Sequence, residues 1–497
     1  MSTQDGIKSD KLSVPALTAM VVGSMVGAGV FTLPQRFASQ TGVYGAVIAW
    51  AIAGTGMLML AFVFQSLAIR KPMLDNGVYV YARQGFGVYP GFLSAFGFWA
   101  SACAGNTFYW ILISTTIAPL FPAFTQENGD VSFLAIAVSS VFVWGFFLLI
   151  RRGIKEAAGI NAIVTVAKLL PLLLFVIVAI FVFKPDVFIA NLTGGYDQGG
   201  DSLFEQVSGT MLVTVFVFLG IEGASVYSRF AKKREDVGRA TVLGFLSVLA
   251  LFATVSILSY GVLPQAEIAK LSQPSVGTIL VAAGIPWGGW FISVGLIISV
   301  LGAYLAWSLM AAEVLFAAAK DKDLPKFLAK ESKKEVPTNA VLMTTVFIQI
   351  LLIVVLLVHG ALDFLLDLTA ALSLVPFLLA AGYALKIAVN RDGYADVPRS
   401  TRTRELVIGA IAVIYTLFLI FAAGPVFLLL ACILLAPGTL LYAFARREQN
   451  GRLFTVPGWI VFAVVVIGAI LGIVGIATGW IDIFHIPELP QIEGIVP

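Results

Sequence analysis

Apolar runs of about 20 residues recur along the whole chain, separated by short polar segments. Each run is long enough to cross the ~30 Å hydrocarbon core as a helix. The pattern predicts spans at 14–38, 44–69, 91–120, 132–151, 158–183, 207–229, 239–262, 288–318, 338–358, 364–389, 405–423, 425–444 and 457–480. Between them, Arg70 to Pro90 reads as a turn plus a short interfacial helix, and Pro264 to Trp287 as a short helix lying over the opposite face.

Two runs are interrupted. The first contains Gly23-Ser24-Met25-Val26-Gly27-Ala28-Gly29-Val30-Phe31, followed by Pro34. Glycine costs a helix interior roughly 1 kcal/mol against alanine. Irregular backbone at membrane depth survives only inside protein or beside a cavity. The expected structure is a helix broken near Met25 to Gly29, with freed amides aimed at an anion. Close helix packing through Gly23-xxx-Gly27 is the alternative. The sixth run carries a second break, Phe216-Val217-Phe218-Leu219-Gly220-Ile221-Glu222-Gly223-Ala224-Ser225. Five spans separate the two, so the second half enters the membrane with opposite orientation. Corresponding interrupted helices in two inverted halves point to the central site of a transporter, which makes packing glycines the lesser reading.

Composition agrees with a membrane protein. Of 497 residues, 59% are hydrophobic and 12% charged, with mean hydropathy +0.96. No cleavable signal peptide is expected. The net charge of +3 says little, but its distribution decides the orientation. With the N-terminus cytoplasmic, every Lys and Arg falls on a cytoplasmic segment except Arg36, Lys168, Lys184 and Lys270. The tail after Trp480 has Asp482, Glu488 and Glu493 but no Lys or Arg, which suits an odd thirteenth span and an external C-terminus. The expected organisation is a cytoplasmic segment 1–13, a first repeat 14–183, an external loop 184–206, a second repeat 207–390, extra helices 391–480 and an external tail 481–497.

The first break, continued through Thr32-Leu33-Pro34, resembles the first-helix motif of the amino acid–polyamine–organocation superfamily. Further stretches narrow the resemblance: Phe62 to Ala68, Gly77 to Ala82, Arg152-Gly153-Ile154-Lys155-Glu156-Ala157-Ala158, Gly220 to Ser225 and Phe316 to Asp321. Together they are similar to the basic amino acid/polyamine antiporters, most of all their arginine/ornithine branch, from about Leu12 to Gly479. The resemblance implies an all-α polytopic fold, a leucine-transporter-type inverted repeat of five plus five helices with broken helices 1 and 6, and about thirteen transmembrane helices in all.

The candidate site follows. The amides of Ser24, Met25, Val26, Gly27, Ala28 and Gly29 would take a substrate carboxylate. Carbonyls at Phe216, Val217, Phe218, Leu219 and Gly220 would take the α-ammonium. The resemblance places the substrate side chain against Ser101, Ala102, Asn106, Phe216, Trp307, Thr369, Ala370 and Ser373. Trp307 suits a cationic tail, and Asn106 offers an amide oxygen. Each also has a plain packing or helix-bridging role. Ala370 stands where an arginine-exporting relative has serine. Lys168 lies about 13 residues into the fifth span, roughly 20 Å from its end, too deep to reach water easily. An ionisable residue there is a functional candidate. The resemblance puts it in the place of a coupling sodium ion, bridging the first break and the eighth helix near Ser299. Glu222 is the only carboxylate beside either break, and three roles are open to it: charge partner, proton-sensitive gate or hydrogen-bond anchor.

Other classes find little support. No phosphate-cradling or metal-ligand spacing is present, and no cofactor is expected. Cys103 and Cys432 lie in apolar runs and imply neither disulfides nor a metal. No chemistry is expected at His359 or His485. An enzyme, a receptor and a channel are all disfavoured, and no nucleic-acid partner is expected. The expected function is antiport of cationic amino acids, arginine against ornithine, in the cytoplasmic (inner) membrane. Exchange of an amino acid for its decarboxylation product, such as histidine for histamine, and proton-coupled uptake are the alternatives. The expected partners are amino acids and the lipid bilayer, with oligomeric state open.

Overall fold

The structure, a computed structural model, describes residues 13–74, 78–126, 128–153, 157–195, 200–222, 234–332 and 334–483. These residues form helices and their connections. Their one extended pairing is an isolated bridge between Thr125 and Val131. Among the described residues, eight helices are long and apolar enough to cross a membrane, or nine if a bent pair is counted as one span.

The first predicted span is that bent pair. Helix α1 (Val14–Met25) meets α2 (Leu33–Ala38) through a 3-10 turn, Gly29–Thr32. The two segments are bent by 49°. Pro34 sits in the first turn of α2, where its missing N–H costs nothing. The first repeat continues through α3 (Val43–Arg70), α4 (Val78–Phe86), α5 (Val88–Ile117), α6 (Phe133–Arg151) and α7 (Ala157–Phe181). Its connection to the second carries α8 (Pro185–Ala190), a short helix that the hydropathy pattern did not announce. The sixth span is α9 (Leu203–Gly209) with α10 (Met211–Phe218), which ends at the second break. Then come α11 (Arg234–Ser259), α12 (Gln265–Ile268), α13 (Ser275–Ala282), α14 (Pro286–Lys320), α15 (Thr338–Val354), α16 (Ala361–Asn390), α17 (Arg399–Glu448) and α18 (Val456–Ala477). Helix α17 holds two spans. Gly424 interrupts it at φ 67° and ψ 172°, between the runs predicted at 405–423 and 425–444.

The packing carries the signature of an inverted repeat. Helix α1 lies on α11, and its counterpart α10 lies on α3. Helix α7 lies on α14, and its counterpart α16 lies on α5. Exchanging each helix with the one five spans away maps each pair onto the other. The short helices obey the same rule. Helix α4 packs on α5 and α16, while α13 packs on the counterparts α14 and α7. The interfacial helix expected after Arg70 is therefore α4, and the cap expected over the far face is α12 with α13. Asp75 to Gly77, Ile154 to Glu156, Gly223 to Ser225, His485, Glu488 and Glu493 lie outside the described residues.

Polar links hold the second half of the broken helix. Ser275 Oγ donates to the Phe31 carbonyl at 3.2 Å, and Gln35 Nε2 donates to the Ala269 carbonyl at 3.1 Å, so the α12–α13 cap is fastened to the first span. Arg36 donates to both carboxylate oxygens of Asp367 on α16 at 2.7 and 2.8 Å, with Asp363 at 3.2 Å. A buried guanidinium is tolerable only with such pairing.

Candidate functional site

The break in the first span leaves backbone groups at both of its ends. The amides of Gly27, Ala28 and Gly29 have no acceptor among the described residues. They form the partially positive N-terminal end of the second half-helix. On the other side of the break, α1 ends in carbonyls. Lys168 of α7 donates from Nζ to the Gly23 carbonyl at 3.0 Å. A cation thus meets the negative end of a helix inside the protein.

The second break lies against the first. Gly220 adopts φ 105°, and a Cβ there would sit 2.5 Å from the Ser24 carbonyl oxygen. Only glycine fits both the backbone geometry and the contact. Ser24 Oγ donates to the Val21 carbonyl at 2.8 Å and lies 3.3 Å from the Gly220 carbonyl. The Gly220 amide is capped by Glu222 Oε2 at 3.1 Å. The carbonyls of Val217 and Leu219 receive no donor among the described residues. A Cβ on Gly29 would meet the Phe216 ring at 2.8 Å, so the two breaks touch there too.

Between them lies a cavity that is open to solvent, with an empty volume of about 440 Å³ including that open space. Of the predicted residues, Ser24, Met25, Gly27, Ala28, Gly29, Ser101, Ala102, Phe216, Val217, Leu219, Trp307 and Thr369 line it. Helix α5 supplies Ser101 and Ala102, α14 supplies Trp307 and α16 supplies Thr369. Ser101 Oγ donates to the Thr369 carbonyl at 2.7 Å and joins α5 to α16. Trp307 leans on Phe98, ring centroids 6.3 Å apart, and Phe216 meets Phe108 edge-on at 4.8 Å. No charged side chain is in the lining, and its polar character comes from backbone groups and side-chain hydroxyls.

The remaining predicted residues lie outside the lining. Val26 is buried behind the break. Phe218 turns away, edge-on to Trp50 at 5.9 Å and beside Phe245 and Phe252. Gly220 and Glu222 shape the second break without facing the cavity. Asn106 donates to Ser308 Oγ at 3.2 Å and links α5 to α14 from behind, with its Oδ1 buried and unpaired. Ser373 donates to the Ala370 carbonyl at 2.6 Å, within its own helix. Ser299 is buried and its hydroxyl has no partner among the described residues, so it is not bonded to Lys168. Helix α7 still approaches α14 closely near this level. A Cβ on Gly295 would overlap Pro171 and lie 3.1 Å from the Ala167 carbonyl.

Sequence reading missed Val30, Gly105 and Tyr109, which also line the cavity. A signal was available for two of them. Gly105 and Tyr109 follow Ser101 at intervals of four, one face of a helix. His359, from which no chemistry was expected, pairs with Asp130 at the start of α16, away from the cavity lining.

Comparison with known proteins places this arrangement. Residues 12–430 match the family described as amino acid permease. An arginine/ornithine antiporter of Pseudomonas aeruginosa is 46% identical over 96% of this chain and 99% of its own length. An L-lysine transport protein of Corynebacterium glutamicum is 39% identical over 95% and 96% respectively. An arginine/ornithine antiporter of Latilactobacillus sakei is 36% identical over 95% and 98%.

Proposed function

This chain belongs to the amino acid permease family, and on that premise we propose that it exchanges arginine for ornithine by alternating access. The observation that carries the reading is the pair of breaks. Gly27 to Gly29, whose amides find no acceptor among the described residues, line the cavity, and so do Val217 and Leu219 of the second break, whose carbonyls find no donor among them. An amino acid presents the complementary charges on one carbon. Its carboxylate takes the amides and its ammonium the carbonyls, with no buried side-chain charge required. The cationic side chain then extends toward Trp307, whose ring face attracts cations.

The two repeats, 14–183 and 207–390, move around this site, and the extra helices flank them. Exchange requires the Arg36 pairing with Asp363 and Asp367 to open on one side of the membrane, since it fastens the first span to α16. Lys168 takes the place of a coupling ion, so exchange needs no sodium. The lysine and arginine distribution orients the protein with its N-terminus cytoplasmic and its C-terminus external in a cytoplasmic membrane.

The test is counterflow. Purified protein in liposomes is loaded with ornithine, lysine, histidine, leucine, agmatine or histamine, and labelled arginine uptake is followed. Uptake driven by internal ornithine, and little by leucine or the amines, is expected. Uptake without any internal substrate, or driven best by an amine, overturns the proposal.

A further inference from the structure

Four side-chain hydroxyls line the cavity, those of Ser24, Ser101, Thr369 and Tyr109. A hydroxyl has one proton to donate. Ser24 gives its proton to the Val21 carbonyl at 2.8 Å, Ser101 to the Thr369 carbonyl at 2.7 Å and Thr369 to the Leu365 carbonyl at 2.6 Å. Tyr109 differs: no acceptor among the described residues takes its proton. Its hydroxyl oxygen stands 3.5 Å from where a Cβ on Gly27 would be. It therefore lies beside the amides of Gly27 to Gly29, on the same side of the cavity. The side chain is only 6% exposed, so bulk water competes little for that proton. Its ring lies edge-on to Phe108, with centroids 6.1 Å apart.

We propose that Tyr109 is a specificity residue. Its hydroxyl donates to the substrate carboxylate alongside the Gly27–Gly29 amides and makes the site reject decarboxylated amines. The proposal rests on the reading of the cavity as an amino acid site. An amine lacking the carboxylate would leave a desolvated phenol and three amides unsatisfied together. Sites built to hydrogen-bond a substrate group discriminate strongly against analogues that lack it.

The experiment measures binding to purified protein by competition with a labelled amino acid. Each amino acid is compared with its own amine: arginine with agmatine, lysine with cadaverine, leucine with isopentylamine. Wild type should favour the amino acid of the pair it binds. Tyr109→Phe, which removes one oxygen, should weaken that amino acid about tenfold, as expected for a lost hydrogen bond to a charged group. The amine should stay within about twofold, because it makes no such bond. Tyr109→Met, a second way of removing the hydroxyl, should narrow the ratio likewise, with folding of each variant checked by size-exclusion profile. Equal weakening of amino acid and amine, or no change in either, overturns the proposal. Equal affinity of wild type for amino acid and amine overturns it without any variant. If leucine rather than arginine is the ligand, the arginine reading falls, and the leucine pair still decides the role of Tyr109.

Discussion

The two breaks treat their backbone ends in opposite ways. Any interrupted helix exposes carbonyls where it stops and amides where it resumes. At the first break the carbonyl end meets Lys168 at Gly23, and the amides of Gly27 to Gly29 remain open. At the second the Gly220 amide meets Glu222, and the carbonyls of Val217 and Leu219 receive no donor among the described residues. Each break therefore has one backbone group met by an ionisable side chain, a carbonyl at the first and an amide at the second. The groups left over are amides at the first break and carbonyls at the second, and their residues line one cavity. Unmatched polar groups at this depth would cost several kcal/mol each.

The comparison breaks most severely where the two irregular segments touch. Gly220→Ala places a Cβ 2.5 Å from the Ser24 carbonyl on a backbone at φ 105°. Both breaks must shift. Arginine exchange should fall by more than roughly a hundredfold, with a lower unfolding temperature, given strain of about 1–3 kcal/mol at the backbone plus the overlap. Exchange near the wild-type rate would show that the breaks are not locked together. Next in size is Lys168→Met, which keeps length and removes the charge. The Gly23 carbonyl loses its partner, and exchange should drop roughly ten- to hundredfold, the weight of one charge-assisted hydrogen bond. Wild-type exchange should persist when sodium is replaced by choline. Strict sodium dependence, or an active Lys168→Met, sinks the idea of an ammonium in place of the ion.

Gly27→Ala sharpens the contrast, because the same change at a different glycine should do little to the fold. A Cβ there has only Tyr109 at 3.5 Å and the Met25 carbonyl at 4.0 Å. The added methyl points at the position of the ligand instead of at the second break. The unfolding temperature should stay within a degree or two, and apparent affinity for arginine should weaken by roughly threefold to tenfold, about 1 kcal/mol of displaced contact. Unchanged affinity would move the carboxylate site elsewhere.

Much of this was legible in the chain. Hydropathy placed the spans because the bilayer demands about 20 apolar residues from any helix that crosses it. The Gly-rich stretches at 23–29 and 220–223 marked the breaks because glycine weakens a helix interior and the two stretches stand five spans apart, at corresponding places in the two halves. What was not legible depended on rotation about helix axes. Asn106 and Tyr109 sit three residues apart on α5, yet one faces α14 and the other the cavity. Hydropathy is blind to that difference when a helix is buried on nearly all sides, as α5 is. Ser373 and Ala370 fell short for the same reason on α16. Ser299 lies inside α14, but no periodicity reveals that the lysine reaches a backbone carbonyl instead of that hydroxyl.

The smallest expected effect concerns Glu222 and decides what kind of cap it is. Its Oε2 accepts the Gly220 amide at 3.1 Å, and it does not line the cavity. If it serves to satisfy that amide, an uncharged acceptor of the same shape should serve nearly as well. Glu222→Gln keeps an oxygen in reach, so arginine exchange should remain within about threefold of wild type, the scale of a neutral hydrogen bond replacing a charged one. Glu222→Ala removes the acceptor, leaves the amide bare and should cost more than Glu222→Gln in both rate and unfolding temperature. A proton-sensitive gate would behave differently. Gln cannot titrate, so the pH profile of exchange would flatten in Glu222→Gln even at an unchanged maximum. A direct charge partner for the substrate would instead show a loss in arginine affinity as large with Gln as with Ala. Measuring both variants across pH 5 to 9 separates the three roles. Equal and severe losses in Gln and Ala would remove Glu222 from the capping role and end the symmetry with Lys168.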